Sequence, residues 1–486
     1  MDEPAYDLLA AKLASDLPAI LPRQRWYGDK NLAIARCELL DAIELAAVGK
    51  ERLVLALAGV RFKNTQRATY LCPMRILDGG EMDLETPLDR AEMQAALIGA
   101  SAASRRIRGR SGTAVFTAGS RHGHWLSELA GGFRGRLSRA EQSNSSVIFS
   151  SPAGAERLVL KCFRRLAPGV NPDSEISEFL SERTAFAATP LFAGSAVYQP
   201  DSGGDAWTLA IWQQYVANRG DGWSYLIEAL TAGDSAAAVL PQLQALGATT
   251  ADLHLALASG GEPAFAPEPI AAADLARWRG DLGQWVGRLA PDLKRAAGDL
   301  PAGDGALARQ VLVRLAALPA SAADLEPLAG LRKIRIHGDY HLGQVLRTTR
   351  DDWAIFDFEG EPARPLPERR RKHAVLKDVA GMLRSLDYLA FAAGRARAAA
   401  ARPALDAGWR GAARQAFWNG YRDRLQAAPG GPDLLPRASG AAERALAFFE
   451  IEKAVYEVAY ELSHRPDWLP IPLAGLARLL GVTPAE

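Results

Sequence analysis

Three side chains whose oxygen atoms could act as metal ligands or as a base lie in one short stretch of the chain. Asp339 lies in a polar loop, Gln344 opens a strand predicted over Gln344–Arg347, and Asp357 ends a second strand, Trp353–Asp357. The two strands predict a hairpin that carries Gln344 and Asp357 at one end. Mg²⁺ prefers such hard oxygen ligands, and a carboxylate such as Asp339 suits proton acceptance from a hydroxyl that attacks a phosphoryl group. The complete set, in this order, predicts phosphoryl-transfer chemistry rather than a polar surface turn.

The composition describes a globular chain of 486 residues, 48% of them hydrophobic, with a net charge of +1. At about 100–200 residues per domain, we expect about two to four domains or lobes. The near-zero charge offers no basic field for nucleic acid, and no apolar run approaches the roughly 18 residues of a membrane span. Cys37, Cys72 and Cys162 lie far apart and predict thiols in a reducing compartment. We therefore expect a cytoplasmic protein without nucleic-acid or membrane partners.

Hydrophobic periodicity predicts the elements that must position the reactive groups. Residues 5–20 have helical spacing, residues 32–76 alternate as short strands, and residues 91–130 give little signal. Two further strands are predicted at Val147–Phe149 and Arg157–Lys161. Segments of helical periodicity follow at residues 224–259, 271–299, 377–388, 408–426 and 448–462. The second half of the chain is therefore predicted to be mainly helical.

Several polar residues in these elements have two interpretations each. Lys161 ends an apolar strand and is either an edge charge or a phosphate ligand, and Glu175 in the first turn of the next helix is its candidate partner. His254, inside a predicted helix, is interpreted as a packing or capping residue rather than a ligand. The basic, aromatic segment Leu21–Lys30 is interpreted as a surface turn with a buried Trp26.

The hairpin stretch resembles the catalytic loop and metal-binding strand of protein-kinase-like enzymes, in the version used by aminoglycoside and choline kinases. Gln344 stands where Asn is the common residue and still supplies a carbonyl oxygen. From about residue 20 to 475 the chain is similar to the bacterial maltokinase family. The motifs that carry this likeness are Arg25-Trp26-Tyr27-Gly28, Gln142-Ser143-Asn144-Ser145-Ser146, Asn171-Pro172-Asp173-x-Glu175, His337–Leu346, Asp357–Pro362, Asp378–Tyr388, Glu452–Glu457 and Arg465–Trp468.

The resemblance implies an α+β chain with a two-lobed protein-kinase-like fold. Residues 1–130 would form a β-rich N-terminal cap domain, residues 131–217 a small β-rich N-lobe, and residues 218–486 a large α-helical C-lobe with the catalytic loop. The cap motif of this family is usually Trp-Phe-Gly-Gly-Lys, whereas this chain has Trp26-Tyr27-Gly28-Asp29-Lys30. The contacts of the cap therefore stay open.

The activity that the resemblance implies is transfer of the γ-phosphoryl group of ATP, with Mg²⁺, to the anomeric hydroxyl of maltose. The product, maltose 1-phosphate, would serve α-glucan synthesis, with a trehalose synthase as a partner. Glucosamine kinases share the cap and the kinase lobes and give the alternative acceptor. An amino sugar needs an extra carboxylate, which Glu452 or Glu457 could supply. The non-enzymatic alternative is a nucleotide-binding scaffold for trehalose synthase.

The family's functional residues map onto this chain position by position. Asp339 would be the catalytic base, and Gln344 and Asp357 the Mg²⁺ ligands. The remaining implied roles are phosphate binding by Lys161 with Glu175 as its partner, phosphate contact by Ser143, Asn144 and Ser145, adenine contact by the backbone of Gln213, Tyr215 and Val216, and sugar binding by His337, Lys453 and Tyr456.

Overall fold

The structure is a computed structural model. It describes residues 2–49, 51–77, 81–84, 87–138, 143–232, 236–317, 325–400, 403–406, 408–428, 433–438 and 440–482. The chain divides into two compact units. Unit 1 contains Met1–Ala217 and the segment Arg364–Arg369, and unit 2 contains Asn218–Ala363 and Arg370–Glu486.

Unit 1 is built mainly of antiparallel strands. They are β1 Ile34–Val48, β2 Glu51–Phe62, β3 Arg67–Ile76, β4 Met82–Asp83, β5 Arg106–Arg108, β6 Gly112–Ala118, β7 Arg134–Leu137, β8 Ser145–Ser150, β9 Glu156–Cys162, β10 Arg165–Leu166, β11 Phe192–Pro200 and β12 Trp207–Gln214. Its first four helices are α1 Glu3–Ile20, α2 Ala91–Ala102, α3 His124–Ala130 and α4 Pro172–Arg183. One sheet has the order β1-β2-β3-β10, with β4 on β3, and the other has the order β5-β6-β11-β12-β9-β8-β7.

Strand β2 is buried on both faces because each face packs against a different layer. Successive side chains of a strand point to opposite faces. Val54 and Ala56 therefore join Leu13 of α1 in one hydrophobic cluster. Leu53 and Leu55 alternate with them and belong to the second cluster, which includes residues of the seven-stranded sheet.

The seven-stranded sheet runs across the boundary at residue 130 that the resemblance implies. Strand β6 lies before this boundary and β11 after it, yet the two pair antiparallel from Gly112↔Pro200 to Ala118↔Gly194. Strand β10 likewise joins the sheet of β1–β3 through Arg165↔Tyr70. The strands before and after residue 130 thus share sheets within one compact unit. Residues 91–130, which gave little sequence signal, contain α2, β5, β6 and α3.

Unit 2 is mainly helical, as the periodicity predicted. Its helices are α5 Gly222–Ala232, α6 Leu240–Leu257, α7 Ala272–Ala296, α8 Ala302–Ala316, α10 Leu376–Ala399, α11 Trp409–Ala427, α12 Ala441–His464 and α13 Pro470–Leu479, while the short α9, Leu366–Arg369, lies in unit 1. Its strands are β13 Asn218–Asp221, β14 Glu268–Pro269, β15 Arg332–Lys333, β16 Val345–Thr348 and β17 Trp353–Ile355. No helix among the described residues is both long and apolar enough to cross a bilayer.

Helices α6 and α11 cross at two glycines. A Cβ added to Gly420 of α11 would overlap the carbonyl oxygen of Gln244 in α6. A Cβ added to Gly247 of α6 would overlap the carbonyl oxygen of Phe417 in α11. The absence of both side chains allows the two backbones to come close enough for tight helix packing.

Replacing Gly420 by Ala should lower the free energy of unfolding by about 1–3 kcal/mol, because the new methyl group overpacks this crossing. Gly411, in the same helix, is the matched control, since a Cβ there meets no atom within 4 Å. Gly411→Ala should raise the stability by about 0.5–1 kcal/mol through helix propensity. Thermal denaturation of the two variants should shift in opposite directions, and an unchanged midpoint for Gly420→Ala would contradict this account of the crossing.

Candidate active site

The predicted hairpin is present in unit 2. Strands β16 and β17 pair antiparallel, with Val345 opposite Ile355. Gln344 lies just before the first strand, and its carbonyl oxygen accepts a hydrogen bond of 3.1 Å from the backbone N–H of Phe356. Gln344 and Asp357 therefore lie at the same end of the hairpin, as the sequence predicted. An amide and a carboxylate oxygen at one end suit a hard cation such as Mg²⁺.

The backbone beside these ligands takes the left-handed conformation at three residues. The φ angles are 66° at Asp357, 85° at Gly338 and 71° at Gly360. A Cβ on Gly338 would lie 3.3 Å from the Cα of Gly360, so the catalytic loop and the segment after Asp357 approach each other closely here. Glycine takes positive φ without steric cost, whereas Asp pays a modest one. This approach brings Glu361 toward Asp339.

Asp378, in the first turn of α10, holds the catalytic loop through its backbone. Its Oδ2 accepts a hydrogen bond of 2.7 Å from the N–H of His337, and its Oδ1 accepts one of 2.9 Å from the N–H of Gly338. His254 Nε2 lies 3.1 Å from the same Oδ2, and His254 Nδ1 lies 2.8 Å from the hydroxyl of Tyr421. His254 is thus a buried packing residue, as predicted.

The environment of Asp378 keeps its carboxylate charged. Burial by itself would raise its pKa, but the hydrogen bond from His254, the charges of His254 and His337, and the bond from Gly338 hold the pKa of Asp378 below its usual range. A charged carboxylate accepts several hydrogen bonds at once, and these bonds fix the backbone immediately before Asp339.

His337 makes contacts inside unit 2, and the sugar binding that the resemblance implied for it stays a prediction. Its side chain is buried, and Nε2 lies 3.0 Å from the carbonyl oxygen of Phe356 in the stretch that leads to Asp357. Its ring packs against Tyr340 and Phe358. The imidazole therefore ties the catalytic loop to the metal-ligand segment, which is a structural role.

Lys453 of α12 joins two carboxylates of the loop region. Its Nζ lies 3.1 Å from Asp339 Oδ1 and 3.3 Å from Glu361 Oε1, and it lies 5.1 Å from the centre of the Tyr456 ring. Burial would lower the pKa of Lys453, but Asp339, Glu361 and Glu457 raise it above its usual value, so the ammonium stays charged. The predicted residues Lys453 and Tyr456 thus lie beside the predicted base.

Glu361 is the carboxylate that the sequence analysis missed. The two acidic residues considered for an amino sugar are already paired: Glu452 lies 3.1 Å from Lys377, and Glu457 lies 2.7 Å from Arg384. Glu361 is buried and is the one that shares Lys453 with Asp339. The signal was present in the motif Asp357–Pro362, but only the folded loop shows which of its acidic residues faces the base.

The position of α12 is fixed by a buried arginine of α10. Arg384 is fully buried and donates hydrogen bonds to Glu457 and to Asp387. Burial would lower its pKa, but the two carboxylates raise the pKa of Arg384 above its usual value. Asp387 also pairs with Arg478 at 2.7 Å. These pairs set the register of α12 one turn from Lys453.

Lys161 in unit 1 forms a buried ion pair with Asp173, a residue that the sequence analysis did not name as its partner. Its Nζ lies 2.8 Å from Asp173 Oδ2, and both side chains are buried. Asp173 precedes the predicted Glu175 by two residues in the first turn of α4. A carboxylate in the first turn of a helix also interacts favourably with the helix dipole.

The predicted phosphate-contact residues at the start of β8 differ in exposure and in the face of the sheet on which they lie. Gln142 of this motif lies outside the described residues, Ser143 is exposed and Asn144 is half-buried. Directly opposite residues of an antiparallel pair share a face. Ser146 lies opposite Lys161, whereas Ser145 lies opposite Cys162.

Ser145, a predicted phosphate contact, directs its side chain away from the face of Lys161, and the phosphate contact stays a prediction. Its hydroxyl lies on the other face of the sheet from Lys161 and accepts a hydrogen bond of 2.8 Å from Arg164. Ser146, which shares the face of Lys161, is the better candidate for that role.

The segment expected to meet adenine continues strand β12. The side chain of Gln213 donates to the hydroxyl of Ser177 at 2.8 Å, which holds it inside unit 1. The backbone N–H of Tyr215 donates to the carbonyl oxygen of Arg157 at 2.9 Å. That donor is therefore already used, and the contact of this segment with adenine stays a prediction.

Comparison with known proteins supports a phosphotransferase. The model of the APH family, described as "Phosphotransferase enzyme family", matches residues 136–361. A glucosamine kinase of Streptacidiphilus jiangxiensis is 30% identical over 352 residues, which cover 70% of this chain and 72% of that protein. A glucosamine kinase of Mycolicibacterium smegmatis is 28% identical over 360 residues, which cover 73% of this chain and 82% of that protein.

Solved structures agree on the fold. A structure of a glucosamine kinase in complex with glucosamine, ADP and inorganic phosphate superposes with a TM-score of 0.65 at 24% sequence identity, covering 97% of this chain and 99% of that one. Crystal form B of a glucosamine kinase gives a TM-score of 0.66 at 23% identity, with the same coverage. With its mixed α/β, kinase-like fold, this chain belongs to the APH phosphotransferase family.

Proposed function

We propose that this protein is an ATP-dependent sugar kinase and that its acceptor is an amino sugar, glucosamine. The observation that carries the acceptor is the cluster of Asp339, Glu361 and Lys453, in which two carboxylates share one ammonium group. A cationic sugar is attracted to such a cluster, whereas a neutral sugar such as maltose gains nothing from its charge. The similarity to two glucosamine kinases supports the same acceptor.

Maltose, the acceptor expected from the sequence resemblance, is the second candidate. The sequence resemblance implies maltose, whereas both of the relatives compared above are glucosamine kinases. Maltose 1-phosphate formation and a trehalose synthase partner depend on that likeness alone. Both stay predictions, as does the non-enzymatic scaffold role.

Asp339 is proposed to act as the base. Lys453 contacts its Oδ1, while Oδ2 accepts no hydrogen bond from any described residue and so remains available for the sugar hydroxyl. As the hydroxyl oxygen attacks the γ-phosphorus and the bond to ADP breaks, the hydroxyl proton passes to Asp339. Lys453 neutralises part of the negative charge that gathers beside the base.

The residues proposed to bind the metal ion and the nucleotide are chosen by the chemistry of their side chains. Gln344 and Asp357 present an amide and a carboxylate at one end of the hairpin, which fits Mg²⁺. Mg²⁺ held there would neutralise charge on the phosphates. Lys161, kept in place by Asp173, is proposed to bind the nucleotide phosphates.

The test is ADP release from Mg-ATP with glucosamine, N-acetylglucosamine, glucose and maltose as acceptors. We expect release with glucosamine to exceed release with the neutral sugars. N-acetylglucosamine is the matched control, because it keeps the ring and removes the positive charge. Preference for maltose would overturn the acceptor but keep the kinase assignment. The absence of release with all four sugars, together with retained ATP binding, would favour the scaffold.

A further inference from the structure

Arg164 of unit 1 is a buried arginine whose charge no carboxylate balances among the described residues. Nε donates to Ser145 Oγ at 2.8 Å, and Nη1 donates to the carbonyl oxygen of Leu71 at 3.2 Å. The guanidinium carbon lies 4.6 Å from the centre of the Trp26 ring. All three partners are uncharged, although the side chain is only 6% exposed. Burial lowers the pKa of Arg164, which is the effect expected when a cation is desolvated without an ion pair.

The position of this cation relates it to the predicted phosphate site. Arg164 follows Lys161 by three residues and lies two residues beyond the end of β9. Its partner Ser145 is the first residue of β8, directly after Ser143 and Asn144. Because Ser145 and Lys161 lie on opposite faces of the sheet, Arg164 holds the loop from the face opposite to Lys161. The two cations therefore flank the start of β8 from its two sides.

The side chain of Arg164 packs against the aromatic segment Arg25–Lys30. Trp26 stacks on the guanidinium, and both Trp26 and Tyr27 pack against Tyr70 of β3. The hydroxyl of Tyr70 donates to Asp29. The predicted turn is present at Arg25–Trp26, but Tyr27 is the buried aromatic residue and Trp26 is half-buried. A position over an aromatic ring suits a guanidinium better than an ammonium group.

Backbone pairing keeps Arg164 itself in place. The N–H of Leu71 donates to the carbonyl oxygen of Arg164 at 2.8 Å. The next residue, Arg165, pairs with Tyr70 in the sheet of β1–β3. Because both its backbone and its side chain are held, the guanidinium has little freedom to move toward solvent.

A buried cation without a counter-ion is destabilised by desolvation, and an anion that binds near it relieves that cost. Inside a protein the effect of a unit charge extends further than in water, because the effective dielectric constant is lower. The positive potential of the buried Arg164 guanidinium therefore favours binding of a polyanion at the residues that Arg164 contacts.

We propose that Arg164 is a positioning residue for the polyphosphate of the nucleotide. Arg164 is held by the segment Arg25–Lys30, it orders residues Ser143–Ser145, and its charge supplies a positive potential there. The inference rests on the proposed function, because it takes the nucleotide as the anion. It assigns to the segment Arg25–Lys30 a part in nucleotide binding. Arg164 contacts Ser145 rather than the reacting atoms, so its effect is exerted through the loop and through its charge.

The experiment compares nucleotides that differ in phosphate number. Binding of ATP, ADP, AMP and adenosine to the full chain is measured by calorimetry for the wild type, Arg164→Met and Arg164→Lys. Arg164→Met should weaken ATP binding about tenfold, as expected for the loss of one unit charge at an intermediate dielectric constant, and should leave adenosine binding unchanged. The loss should grow with the number of phosphates.

Arg164→Lys separates the charge from the shape. Lysine keeps the charge but cannot form the forked bonds to Ser145 and Leu71, so we expect a smaller loss for ATP than with methionine. Arg164→Lys also keeps the inference testable if Arg164→Met does not fold. The matched control is Arg108→Met, an exposed arginine of the same unit paired with Asp201, which should bind ATP like the wild type.

The outcomes distinguish this inference from the proposed function. Equal loss of ATP and adenosine binding would reduce Arg164 to a general structural residue and overturn the inference. Unchanged ATP binding in both Arg164 variants would also overturn it. Failure of the wild type to bind ATP would instead remove the nucleotide and, with it, the proposed kinase activity.

Discussion

Replacing Asp339 by Asn should lower kcat for glucosamine about 10²–10⁴-fold, because an amide cannot accept the hydroxyl proton during the attack on the γ-phosphorus. The amide oxygen can still accept a hydrogen bond from Lys453, which now contacts Asp339 Oδ1 at 3.1 Å. The variant should therefore remain folded, and its KM for ATP should change little. Steady-state kinetics and the thermal midpoint together measure these expectations.

Asp351→Asn is the matched control for this change. Asp351 is an exposed carboxylate in the turn of the same hairpin, with a left-handed φ of 65° that Asn tolerates well. Its kcat should equal that of the wild type. A kcat for Asp339→Asn within a few-fold of the wild type would remove Asp339 from the role of base while leaving the fold assignment intact.

Replacing Asp378 by Asn should impair both stability and turnover, although Asp378 touches no substrate in the proposed mechanism. Both of its oxygens accept hydrogen bonds, Oδ1 from Gly338 and Oδ2 from His337 and His254. An amide offers one acceptor oxygen and turns an N–H group toward the donors on the other side. Each buried donor left unpaired costs about 1–3 kcal/mol, and the loop that carries the base loses its anchor.

The pH dependence of stability supplies an independent check on Asp378. Its pKa is lower in the folded protein than its usual value. The stabilisation from its charged form is therefore complete above the unfolded-state pKa of about 3.9 and is lost as the pH falls through the lower folded-state value. The stability difference between the wild type and Asp378→Asn should be largest near neutral pH and should shrink in acid. A difference that stays constant down to acid pH would show that the carboxylate charge does not matter.

His254→Gln is a useful companion variant. It keeps a side chain that can donate to Asp378 but shortens the link to Tyr421, so it should lose less activity than Asp378→Asn. Loss of activity in proportion to the loss of stability in both variants would indicate a purely structural anchor. A fall in kcat at temperatures well below the unfolding midpoint would instead show that the anchor positions Asp339.

The hairpin is the part of the candidate site that local sequence determines most directly. Two short apolar strands joined by a turn specify their own pairing, so Gln344 and Asp357 could be placed together before any tertiary contact was known. The same holds for the long helices of unit 2, whose periodicity specifies one buried face. Lys161 could be recognised because a charged residue at the end of an apolar strand requires a partner.

The partners of these residues could not be derived in the same way. The ion pair of Lys161 with Asp173 could not be derived, because the direction of each side chain in the first turn of α4 depends on how that helix packs in unit 1. Spacing along a helix defines a face, but it does not define which element the face meets. For the same reason Glu452 and Glu457, which the sequence offered for an amino sugar, are paired with Lys377 and Arg384.

The sequence by itself determined the hairpin that brings Gln344 and Asp357 together, and the strand and helix periods around it. These features depend on neighbours in the chain, and local geometry is enough to specify them. The tertiary structure alone decided the long-range contacts, namely Glu361 sharing Lys453 with Asp339, Asp378 holding the loop, and Arg164 seated on Trp26. Each joins residues that are far apart in the chain, and their meeting depends on how whole elements pack, which no local pattern encodes.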